Sequence, residues 1–192
     1  MDVSASNKAL AKLTAAAFGG TASVTRYRDQ HETSYIDLLS SEGSPDQGLT
    51  SFATVGLSDR PVASTVEPPL GVEVLGCGPT DVPRFANAVA SIAFSVINDG
   101  WECRPGAVFP GCVGTYVGDT TVPHLLLVPP FLWRTDFPSR TYPDKTVAWL
   151  LAVPISEKER AFVARRDDSR ELRKKFEAVQ IDVFDLHRPS AV

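Results

Sequence analysis

The spacing of apolar side chains divides the chain into helical and extended segments. Residues 6–18 predict an amphipathic helix, with Leu10, Leu13 and Phe18 apolar against Lys8 and Lys12. Ser6 or Asn7 can cap its start and Gly19-Gly20 its end. Short alternating runs predict strands over 22–28, 34–39, 49–57 and 71–75, with a polar turn over 40–48. That alternation is the pattern of a sheet with one face covered. The clearest helix is predicted over 82–98, capped by Asp81, with Pro83 in its first turn and Gly100 just past its end. Phe85, Val89, Ile92 and Val96 form its stripe, and Ala86, Ala90, Ala93 and Ile97 widen it, so this helix is expected to be well buried.

A glycine- and proline-punctuated segment over 101–123 follows, then two apolar strands over 124–128 and 146–153. Between these strands lies a proline-rich loop carrying Phe131, Trp133, Phe137 and Tyr142. Ser156-Glu157-Lys158-Glu159 has the form of a capped helix start, and a second short helix over 169–179 carries Leu172, Phe176 and Val179. Helices and strands do not alternate strictly, so the expected class is α+β, with a mixed or mostly antiparallel sheet packed by helices. Without a long linker or internal repeat, residues 1–192 read as one domain.

Charge and cysteine usage narrow the class of function. The formal net charge is -4, which argues against a nucleic-acid binder, since such proteins need a basic face. It is unevenly distributed: ten basic against fifteen acidic residues leave 1–155 at -5, while 156–188 carries nine basic and eight acidic residues. The mixed charges of that tail read as a solvated helix face. Three cysteines, Cys77, Cys103 and Cys112, make a poor disulfide framework. The chain start lacks a signal-peptide pattern, and the apolar runs are too short to span a membrane. A cytoplasmic, membrane-free protein is the expectation.

Local motifs supply no active site. Gly76-Cys77-Gly78-Pro79 sits where a phosphate loop could lie, between a strand and a helix, but Asp81 replaces the third fingerprint glycine and no P-loop lysine follows. A tight helix entry explains it better. Cys77 at a helix N-terminus could serve as a nucleophile, but it needs a base, and His31, His124 and His187 belong to no recognisable motif. The spacing of Cys103, Cys112 and His124 is too loose for a compact zinc site, and Tyr35 stands where a zincin helix starting at His31-Glu32 needs its second histidine. No catalytic, cofactor-binding or metal residue is therefore assigned, and a binding protein is favoured over an enzyme.

Longer stretches carry a resemblance. Gly48-Leu49-Thr50-Ser51-Phe52-Ala53-Thr54-Val55-Gly56-Leu57-Ser58-Asp59 resembles the signature of the suppressor-of-fused (SUFU) domain family. The similarity continues, in order, through Glu73-Val74-Leu75-Gly76-Cys77-Gly78, Ala93-Phe94-Ser95-Val96-Ile97-Asn98 and Pro129-Pro130-Phe131-Leu132-Trp133. It ends with Trp149-Leu150-Leu151-Ala152-Val153-Pro154-Ile155-Ser156 and Asp182-Val183-Phe184-Asp185-Leu186, so that it spans about residues 20–190. The resemblance implies a non-enzymatic, bacterial, single-domain interaction protein. Animal relatives grip a transcription-factor peptide between two domains, of which this chain resembles only the first, so that role is not transferred. Small bacterial members are regarded as immunity proteins, which implies another protein, a cognate toxin, as partner.

Large side chains on flexible loops make good interface anchors. Trp101, Phe131 and Trp133 are the expected anchors, and they stand against a competing role as covers of the core edge. Glu102 and Arg104, near the part of the animal domain that helps hold its peptide, complete the candidate protein-binding set. Two other readings stay open: a small enzyme using Cys77, and a scaffold that self-associates through an exposed strand edge.

Overall fold

The computed structural model describes residues 3–62, 67–134, 137–166 and 169–192. Helix α1 (Ala5–Phe18) leads into a meander of β1 (Thr21–Arg28), β2 (Tyr35–Glu42) and β3 (Leu49–Val55). A 3-10 turn (Leu57–Asp59) precedes β4 (Leu70–Pro79) and α2 (Phe85–Asp99). Then come β5 (Val108–Phe109), α3 (Cys112–Val117), β6 (His124–Val128), β7 (Arg140–Thr141) and β8 (Thr146–Ile155), and α4 (Glu157–Arg166) and α5 (Ser169–Val179) follow.

The strands form one eight-stranded sheet in the order β1-β2-β3-β4-β8-β6-β5, with β7 also paired to β8. Among the described residues, only β4 and β8 pair in parallel, and every other ladder is antiparallel. The mixed sheet follows from chain order, because α2, β5, α3, β6 and β7 all intervene between β4 and β8.

Helices cover both sheet faces, where the alternation predicted one. On one side α2 and α3 pack Phe85, Val89, Ile92 and Val113 against Leu38, Phe52, Val74, Leu125 and Leu127. On the other, Leu10 and Phe18 of α1, Val163 of α4, and Leu172 and Phe176 of α5 meet Leu39, Leu75, Leu126 and Leu151. The central strands are accordingly buried on both faces, polar Ser51 and Thr54 included. Phe85, Val89 and Ile92 have no exposed surface, and each such side chain contributes about 1.5–3 kcal/mol by leaving water.

Two helix starts differ from expectation. Ser4 caps α1, its Oγ accepting from Asn7 N at 3.1 Å, which leaves Ser6 and Asn7 to contact other elements. Helix α2 begins at Phe85 after Arg84, because a turn bonded from Val82 N to Pro79 O and from Phe85 N to Val82 O occupies the Asp81 region. Gly100 ends α2 in the left-handed region, φ 69°, as its position past the helix predicts.

Residues 76–79 are strand, and they form no phosphate loop. A Cβ on Gly76 would lie 2.6 Å from Val89 Cγ2, and one on Gly78 would lie 2.8 Å from Phe85 Cγ. The two glycines let α2 press directly onto β4, which is why a glycine-rich motif stands in the middle of the core.

Candidate binding surface

The candidate anchors divide into exposed and buried sets. Trp101 follows the Gly100 cap, is 44% exposed, and stacks on buried Phe109 with ring centroids 5.4 Å apart. Cys103 turns inward, and its neighbours Glu102 and Arg104 stand exposed, joined by an Arg104 Nε–Glu102 Oε2 ion pair of 2.8 Å. Phe131, after Pro129-Pro130, is 49% exposed.

Backbone bonds set these two loops at one end of the sheet. Gly106 N donates to Leu127 O at 2.7 Å, and Leu127 N donates to Ala107 O at 2.9 Å. Residues 101–106 therefore approach, and 129–131 leave, the same end of the β5–β6 edge. An exposed ion pair contributes only about 0–1 kcal/mol, so Glu102 and Arg104 can exchange each other for charges on a partner at little cost.

Trp133, expected as an anchor, is instead a core residue. Its indole packs on Phe18 at 4.8 Å and Phe137 at 5.4 Å, and its Nε1–H donates to Ser51 Oγ at 2.9 Å. Phe137 continues the cluster to Trp149 at 5.8 Å. Proline-rich loop composition is common to Phe131 and Trp133; the difference arises from Phe18 and Ser51, which distant parts of the chain supply.

A concavity of about 420 Å³ at one end of the β2–β3 ladder escaped the sequence reading because five segments build it. Asn7, Arg26, Tyr35, Asp59 and Arg60 contribute to its wall. Arg26 holds both oxygens of Asp37 at 2.8 and 2.9 Å and lies 4.1 Å over the Tyr35 ring. Asp59 accepts from Asn7 Nδ2 at 2.8 Å and bonds buried Lys145, whose Nζ also donates to Asn7 Oδ1 at 2.6 Å. The turn that carries Asp59 is held from below by Glu73, which is fully buried. That carboxylate accepts from the backbone N–H groups of Gly56, Leu57 and Ser58 and from the hydroxyls of Thr54 and Ser58. Burial raises the Glu73 pKa, against the pull of those donors.

Cys77, the candidate nucleophile, is not set up for attack. Cys77 lies inside β4, 3% exposed, with Ser44 O 3.8 Å from its sulfur, and burial pushes its thiol up to about 12. It thus lacks the helix N-terminus that would have activated it. Of the histidines, His124 is occupied: Nδ1 accepts from Gly111 N at 2.9 Å and Nε2 meets Glu157 Oε2 at 2.8 Å. Hydrogen bonds from Arg160, then from His124, hold the Glu157 carboxyl down at about 2. Among the described residues, no three or more His, Cys, Asp or Glu side chains gather as a metal site, and no helix is long and apolar enough to cross a membrane.

The mixed sheet with helices packed on both faces defines an α+β protein. Residues 32–189 match the family model described as Suppressor of fused protein (SUFU), and the chain belongs to that family. It is 38% identical over 193 residues to immunity protein YqcF of Bacillus subtilis strain 168, covering all of both chains. A SUFU homologue from Neisseria gonorrhoeae FA 1090 superposes with a TM-score of 0.71 at 17% identity, over 97% of this chain and 93% of that one. The Sufu–Fu complex structure gives a TM-score of 0.65 at 14% identity, over 96% and 91% of the respective chains.

Proposed function

We propose that this protein is an immunity protein, which binds a cognate toxin protein in the cytoplasm and neutralises it stoichiometrically, without turnover. The observation that carries the proposal is the 38% identity to immunity protein YqcF along the entire length of both chains. Its SUFU fold, which is also that of the Sufu–Fu complex, supports a role in protein association. We assign the contact to the end of the β5–β6 edge, with Trp101 and Phe131 as anchors and Glu102 and Arg104 as the polar rim.

The test is co-expression with the product of the adjacent gene, scored by growth, followed by titration of the purified pair. Rescue of growth, retention of the partner on the purified protein, and inhibition that saturates near one-to-one are expected. Absence of both retention and rescue overturns the immunity role, and inhibition at sub-stoichiometric ratios would indicate turnover.

A further inference from the structure

Among the described residues, strand β1 is the long free edge of the sheet. It occupies the end of the strand order, pairs with β2 on its inner side, and carries seven exposed residues among its eight. The opposite edge, β5, is two residues long. Natural edges are usually blunted by proline, bulges or free charges. Here the β1–β2 register runs without a bulge from Thr21–Glu42 to Arg28–Tyr35, and the strand has no proline. Arg26 is already held by Asp37 and Tyr35.

The ladder tells which backbone groups point outward. Asp29 N donates to Ser34 O, which extends the β1–β2 register by one pair and places the odd-numbered residues in inward-bonded pairs. By alternation, the N–H and C=O groups of Ala22, Val24 and Arg26 face away from β2. Val24, the exposed hydrophobic residue of the strand, is 55% accessible at its middle.

We propose that β1 is the interface of a symmetric dimer, pairing antiparallel with β1 of a second copy about a two-fold axis at Val24. The self-complementarity of the strand selects this occupant and this register. An axis at Val24 sets Val24 against Val24, Ala22 against Arg26, Ser23 against Thr25 and Thr21 against Tyr27. It brings apolar surface together and opposes no like charges. An axis at Thr25 sets Val24 against Arg26, and one at Arg26 sets two guanidinium groups side by side. An axis at Ser23 shortens the pairing. The dimer joins two eight-stranded sheets into one and satisfies the outward groups of both edges.

Sedimentation equilibrium of the full chain, over a concentration series reaching several hundred micromolar, tests it. A monomer–dimer equilibrium is expected, and Val24→Lys, which places two cations at the axis, raises its dissociation constant roughly tenfold or more. Val24→Pro has the same effect with a retained circular dichroism spectrum, because the lost N–H faces away from β2, its neighbour in the sheet. Val24→Cys with a short bis-maleimide gives a covalent dimer, and Arg28→Cys, about 27 Å from its mate at 3.4 Å per residue, does not. A monomer throughout the series overturns the proposal, as does a dimer that neither Val24 variant weakens. A β1 edge whose Val24 and Arg26 amides become protected from hydrogen exchange only when another protein is added also overturns it, since the occupant is then that protein.

Discussion

At the scale of single residues, burial separates side chains that hold the fold from those free to meet a partner. Trp101 and Phe131 keep about half of their surface exposed, whereas Trp133 is enclosed by Phe18, Phe137 and Ser51. Trp101→Ala and Phe131→Ala should each weaken toxin binding by about 2 kcal/mol, roughly thirtyfold, with little change in unfolding. Trp133→Ala should cost about 3–5 kcal/mol of stability through the cavity it leaves. Paired calorimetric titrations and urea melts check the contrast, and equal losses of stability in all three variants would refute it. Glu73 offers a second test. Three of its donors are backbone N–H groups that cannot reverse, and Thr54 Oγ1, which accepts from Val74 N at 2.8 Å, is left to donate to the carboxylate. Glu73→Gln turns an amide donor toward donors, so it should destabilise by about 1–3 kcal/mol in urea unfolding despite its near-identical shape.

At the scale of elements, close approach and end-capping decide how helices sit on the sheet. An alanine at Gly76 or Gly78 meets Val89 or Phe85 inside van der Waals distance, so either variant should lose about 1–3 kcal/mol as α2 is pushed from β4. A melt unchanged by both alanines would show that the helix can give way freely. Helix α4 opens with a capping box, Ser156 N donating to Glu159 Oε2 at 2.7 Å and Glu159 N to Ser156 Oγ at 3.2 Å. Glu159 also binds buried Arg188 at 2.7 and 2.9 Å and accepts from Ala191 N, tying the last residues to the helix start. Burial alone would raise its pKa, but the bonds from Arg188 and the two backbone amides hold it below the ordinary value of 4.5. The unfolded chain therefore takes up this proton first. The stability Glu159 supplies is present above about pH 4.5 and is lost as pH falls through its lower folded value. Urea melts between pH 7 and 3 should show that loss, and Glu159→Gln should flatten it.

The capping box was legible because its partners lie three residues apart. Arg188 was not, because it arrives from twenty-nine residues away, and so a buried glutamate read as part of a solvated face. The strand 124–128, helix 169–179 and the Gly100 cap were likewise written in local periodicity and turn chemistry. The glycines of 76–78 read as a tight helix entry because their actual reason, the pressure of Val89 and Phe85 on β4, belongs to another element.

At the scale of the molecule, one sheet separates two cores, and its two ends and edges are left to interact. The α+β class followed from the order of elements, but the parallel β4–β8 pairing and the cover on both faces depend on contacts that no window of sequence contains. The same holds for the proposed binding surface: the pattern located Trp101 and Phe131 on loops, and only the β5–β6 pairing brings those loops to one end. Charge is the property of the whole chain that composition does report. The net charge of -4 arises in residues 1–155, which carry -5 and include both anchor loops. A toxin with a basic face would be drawn to this body over a distance set by the Debye length, about 10 Å at 0.1 M salt. Steering of that kind changes encounter more than retention. Stopped-flow measurement with the cognate toxin should therefore show an association rate constant that falls by about tenfold or more between low and high salt. If the proposed anchors Trp101 and Phe131 are desolvated at the interface, the dissociation rate should change little. An association rate indifferent to salt would remove electrostatic steering from recognition and leave shape and the two aromatic rings to account for it.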